Sequence, residues 1–158
     1  MKTIIVYIFL FLNFISFSQN ENISKIEVEN FIQSTLENSK AWFACNIDSA
    51  YYKADTITFC SSMLHLYQKN CCHHIEWYFS NATKFNLSKT NICSKPIIST
   101  IDSKKSSFKI KTEHQNNGVI IKIKTRWKAI HFKVISIYQK ELWKNGNNAH
   151  FIKIIRIK

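Results

Sequence analysis

Glycine and proline are almost missing, with two of the first and one of the second in 158 residues. A chain this poor in both has no obvious linker between domains and no glycine-rich loop in which backbone amides could cradle a phosphate. Acids are scarce as well: ten in total, with no paired-carboxylate motif, which argues against carboxylate acid–base catalysis. There is no nucleophile elbow of the G-x-S-x-G kind. After residue 18 no apolar run approaches the roughly 20 residues that a membrane-spanning helix requires. The mature chain is therefore expected to be soluble, with no span.

The first residues, MKTIIVYIFLFLNFISFSQN, have a basic Lys2, an apolar run from Ile4 to Phe17, and small residues at Ser16 and Ser18. This pattern predicts a secretory signal peptide over 1–18. Residues 19–158 are then expected to form one domain, long enough to bury a core. Hydrophobic residues make up 46% and aromatics 14%, which excludes a disordered chain. The formal charge is +12, and all but Arg126 and Arg156 of the 22 basic residues are Lys. Lys, Ile, Asn and Phe all use AT-rich codons, so base composition accounts for part of the excess. The distribution is nonetheless uneven: residues 21–60 hold six acids and three bases, residues 81–158 three acids and seventeen bases. The C-terminal half should carry a basic surface.

Five cysteines, at 45, 60, 71, 72 and 93, come after the expected leader. In an oxidising compartment cysteines pair, and an odd count leaves one over. Cys93 sits in the segment that leaves the stretch carrying Cys71 and Cys72, so a bridge from Cys93 to Cys71 or to Cys72 is expected. The run Cys71-Cys72-His73-His74 also has helical spacing for a metal (Cys71 with His74, Cys72 with Glu76), or for a Cys–His nucleophile. Either would need further groups, such as His114, Cys93 or Asp102, to converge. Oxidised cysteines and a core His74 are the simpler expectation; neither metal nor cofactor is assigned.

Ser24-Lys25-Ile26-Glu27 has the form of a capping box, and Val28, Phe31, Ile32, Thr35 and Leu36 come next at helical spacing, predicting a helix over 25–39. Residues 44–60 fit either short strands or a helix beginning near Asp48. A second helix is predicted over 62–79, with Leu64, Tyr67, Cys71, His74, Ile75 and Tyr78 on one face. The polar stretch 80–96 reads as loop, and Ile97–Ile101 as a strand. Asn117-Gly118 is a strong hairpin signal, because a type I′ turn needs positive φ at both central residues. Counting outward from that pair sets His114 against Ile121 and Thr112 against Ile123 on one face. On the other, Glu113 meets Lys122, Lys111 meets Lys124 and Lys109 meets Arg126. Strands over 131–143 and 150–157 complete the meander, with a bulge expected because no register segregates that last pair.

Helices first and a twisted antiparallel sheet last, closing with ELW (141–143), a KNGN turn (144–147) and FIKIIRI (151–157), resembles the cystatin-like α+β roll of the nuclear-transport-factor-two-like superfamily. The resemblance implies two N-terminal helices packed on a C-terminal β-meander. It carries no catalytic residue onto this sequence.

Two function classes are open. One is a non-enzymatic binding module using Lys109, Lys111, Lys122, Lys124 and Arg126 for an anionic polymer, a lipid head group or an acidic protein. The other is a pocket between helix and curved sheet that holds a small ligand or performs a reaction.

Overall fold

Ser24 caps the first helix as its sequence predicts. In α1 (Lys25–Glu37) the Ser24 hydroxyl accepts from the Glu27 N–H and the Glu27 carboxylate accepts from the Ser24 N–H at 2.6 Å. Val28, Phe31, Ile32 and Thr35 are its buried stripe. They close on Trp42, whose indole N–H donates to Thr35 Oγ1 at 2.8 Å. The computed structural model describes residues 23–101, 106–125, 128–142 and 148–157. The expected signal peptide, Asp102, Arg126, Trp127, Trp143 and the 144–147 turn lie outside them.

Beyond α1 the chain forms a β-barrel and not an α+β roll. The strands are β1 (Ala41–Cys45), β2 (Thr56–Cys60), β3 (His73–Asn81), β4 (Lys84–Asn91), β5 (Ile98–Thr100), β6 (Ser107–Gln115), β7 (Gly118–Lys124), β8 (Ala129–Glu141) and β9 (Asn148–Ile157). Their order is β3-β1-β2-β9-β8-β7-β6-β4-β5, and β3 also pairs with β4. That last pairing closes eight strands into an antiparallel ring, and β5 pairs with β4 at Lys89, Thr90 and Asn91, on the edge that β6 joins at Lys84, Phe85 and Asn86. The cystatin-like resemblance is therefore overturned: a roll leaves its sheet open, and here the pairings carry the sheet round onto itself. The expected fold class falls with it, since one N-terminal helix and not two precedes the strands. A 3₁₀ turn (Ile47–Ser49), α2 (Ala50–Lys53) and α3 (Leu64–Gln68) are single turns between strands.

Three local readings change for identifiable reasons. The helix expected over 62–79 stops at Gln68, and 73–81 is strand. Ile75, Trp77 and Phe79 alternate inward, each 1% exposed or less, and that two-residue period prevails over the competing helical stripe. The expected loop 80–96 contains β4, whose Phe85 is buried inside while Ser88 and Thr90 are buried on the outside. Residues 44–60 hold both alternatives in turn, with α2 preceding β2. The bulge expected in the last hairpin lies between Val134 and Ser136.

The barrel interior is solid. Trp42, Trp77, Phe59, Phe79, Phe85, Phe132, Ile121, Ile152 and Ile154 are fully buried in one cluster with the α1 stripe. A run of near-parallel rings passes through it: Trp42–Trp77 at 5.7 Å and 24°, Trp77–Phe85 at 4.5 Å and 18°, Phe85–Phe108 at 5.1 Å and 9°. Among the described residues, side chains fill the centre of the barrel.

Candidate functional site

The β6–β7 hairpin keeps the predicted faces but not the predicted register. Gln115 pairs with Gly118, His114 with Val119, Thr112 with Ile121 and Ile110 with Ile123. The loop is thus Asn116-Asn117, and within it and its flanks only Gly118 has positive φ, at 113°. This fits a type I turn closed by a glycine, which needs one left-handed residue where type I′ needs two. The ladder is displaced by two residues, and an even displacement leaves every side chain on its original face. Ile110, Ile121 and Ile123 point into the core; Lys109, Lys111, Lys122 and Lys124 stand outside.

The displacement changes which cations meet. Lys109 faces Lys124 and Lys111 faces Lys122. The expected pairs, Lys111 with Lys124 and Lys109 with Arg126, do not form at the first, and Arg126 of the second lies outside the described residues. Glu113 stands on the same face and bonds both Lys111, at 3.1 Å, and Lys122. Those two ammonium groups, Lys122 foremost, hold its carboxyl below the usual carboxylate range. The inner pair of the expected patch is therefore neutralised in part by its own hairpin.

The outer pair is not. Lys84 of β4 faces Lys109, which faces Lys124, so three lysines form one row across β4, β6 and β7. With strands about 4.8 Å apart the row spans roughly 10 Å. All three side chains are exposed, and among the described residues none has a carboxylate partner. They rim a recess of about 460 Å³ whose other walls are Ser107, Phe108 and Thr125. Lys84 escapes sequence reasoning because its polar strand reads as loop. The signal is present in Phe85 and Leu87, two inward positions beside it.

The cysteines pair as Cys45–Cys71 and Cys72–Cys93, with Cα separations of 5.9 and 5.1 Å. The expected bridge from Cys93 thus goes to Cys72, and the second bridge takes Cys71 out of any metal or nucleophile role. Among the described residues no group of three potential metal ligands comes together. Cys60 is the free thiol, buried at the β1–β2 seam, and burial pushes its pKa up to about 11. It is a thiol and not a thiolate at neutral pH, which removes the nucleophilic form. Cys60 and His65 line a separate recess with Phe43, Thr58 and Phe151, and burial lowers the His65 pKa.

His74 and Glu76 form the other polar cluster. His74 Nε2 lies 2.7 Å from Glu76 Oε1, and the Ser88 hydroxyl donates to Glu76 Oε2 at 2.9 Å. The imidazole, foremost among the neighbours, depresses the Glu76 carboxyl. Carboxylate in the middle is the wrong order for a nucleophile, because the serine proton is committed to Glu76 and not to histidine. The side chain of His74 is wholly buried. This is a structural network inside the barrel's cover. No family model, curated protein or solved structure matches the chain.

Proposed function

We propose that the protein is an exported, non-enzymatic binding protein for an anionic polymer, which docks across β4, β6 and β7. The observation that carries this reading is the row Lys84–Lys109–Lys124, three opposed cations with no compensating carboxylate among the described residues. Like charges facing each other across strands destabilise a sheet by a few tenths of a kcal/mol per pair, and a polyanion relieves that repulsion. Lys111 and Lys122 add to the field at the next row, reduced by Glu113. Two disulfides are consistent with an oxidising, exported setting, and no described helix is long and apolar enough to cross a membrane. Export would remove residues 1–18, which intact mass of the secreted protein checks.

The test is binding to anionic glycans, anionic lipid vesicles and nucleic acids at 50 and 200 mM salt. Replacing three counterion-releasing lysine contacts by salt should weaken a nucleic-acid-like polymer roughly 20- to 40-fold over that range. Lys109→Glu with Lys124→Glu should abolish binding. Because both positions are exposed, stability should move by no more than about 0.5 kcal/mol per site. Equal binding by the variant, or affinity indifferent to salt, refutes the proposal.

A further inference from the structure

The lysine row borders an aromatic surface. Phe108 lines the recess beside Lys84, Lys109 and Lys124, and it is the last plate of the ring stack that begins at Trp42. Phe85 covers one face of Phe108 almost in parallel, at 9°. Among the described residues no further ring stacks on Phe108, and it is only half-buried. Phe85 below is 1% exposed and Trp77 below that 1%, so the plate under the recess is held by a packed core and not by a mobile loop. Ser107 adds a hydroxyl at the rim.

We infer that the polymer bound here is a single-stranded nucleic acid, one base of which stacks on Phe108 while its flanking phosphates lie along the lysine row; this rests on the anion-binding proposal above. A sulfated glycan or a polyphosphate would satisfy the lysines equally well, yet it brings no planar ring to extend the stack. A nucleotide brings both, because a flat π-surface lies within one residue's reach of a phosphate. Stacking of this kind tolerates any base, since each has a π-face, so the site should bind without strong sequence preference. Double-stranded nucleic acid is disfavoured: its bases are already stacked on each other and a single recess cannot reach between them.

The experiment compares a fluorescein-labelled oligothymidylate twelve-mer with an abasic oligomer of the same length, at one salt concentration. The two carry the same phosphates and differ in the bases. One stacked base should make oligothymidylate about tenfold tighter, within the 5- to 150-fold range that a single stacking contact supplies. Phe108→Leu should bring the two affinities together while leaving the abasic oligomer's unchanged, and melting of that variant shows that it is folded. Lys109→Glu with Lys124→Glu should remove both ligands. Equal affinity of wild-type protein for the two oligomers overturns the stacking inference and leaves the anionic reading standing. No binding of either, with no binding of inorganic polyphosphate, overturns both.

Discussion

Where β3 begins and β4 ends the outer surface of the barrel is covered, and along β6–β7 the described residues leave it bare. Beside the first, over the neighbouring β1, α3 and its link to β3 press Leu66 and Cys71 against Ala41 and Phe43. Two disulfides fasten that cover, and His74, Ser88 and Thr90 are buried beneath the neighbouring surface although they point away from the core. Over the second no disulfide fastens a cover among the described residues, and lysines face solvent. Polar residues on an outward face thus mean opposite things in the two halves. Under a cover they must find partners, and His74 Nε2, Glu76 and Ser88 do so among themselves, while His74 Nδ1 has none among the described residues. In the open they need none, and Lys84, Lys109 and Lys124 face solvent with no carboxylate partner among the described residues.

Breaking the cover should produce the largest effect. Reducing both disulfides is expected to cost about 2–4 kcal/mol per bridge, measured as a fall in urea midpoint. Amide exchange should accelerate first in β3 and β4 and only later in β6 and β7. Uniform acceleration around the ring would show that the bridges support the whole barrel and not its covered half.

The two buffered carboxylates separate the halves further. Glu76 titrates below its ordinary value of 4.5 in the folded protein, chiefly through His74. Its stabilising contribution is therefore complete above that value and is lost as pH falls through the lower folded one. Glu76→Gln should flatten the acid limb of a stability–pH curve, and Glu76→Ala should cost about 1–3 kcal/mol by leaving His74 and Ser88 unsatisfied. Glu113 is depressed in the same direction by Lys122 and Lys111, but in the open. Glu113→Gln should change acid stability least of all, and 0.5 M salt should erase the change. The same substitution should strengthen polyanion binding, because it releases two lysines.

How much of this is legible in the sequence depends on how far apart the interacting residues are. The Ser24–Glu27 box and the lysine face of β6–β7 are set by neighbours a few residues away, and both are as the sequence suggests. The hairpin register differs by two because the Asn-Gly signal does not say which of two turn types will use the glycine. Residues 62–79 read as helix because Leu64, Tyr67, Cys71, His74 and Tyr78 recur at helical spacing, while the decisive Ile75–Trp77–Phe79 alternation becomes favourable only when β1 and β4 flank it. β4 is hidden by Ser88 and Thr90, polar residues that a surface strand or a loop would carry equally. Of the site itself, Lys109 and Lys124 can be named from the sequence. Lys84 and Phe108 cannot be joined to them without the β4–β6 pairing.

The ring is closed unequally. β1 and β2 meet at a single pair, Phe43 with Cys60, whereas every other junction of the circuit is a ladder of several residues. Cut at that seam and laid flat, the strands run β1, β3, β4, β6, β7, β8, β9, β2. Seven of them keep chain order, with only β2 out of place at the end. Most of the barrel can therefore zip together from near neighbours at little loop-closure cost, and one step, Thr56 reaching Ile155, must join strands about a hundred residues apart. Folding kinetics should reflect it. Ile57→Val and Ile154→Val, on either side of that late junction, should speed unfolding while barely slowing folding, whereas Ile110→Val in the local hairpin should do the reverse.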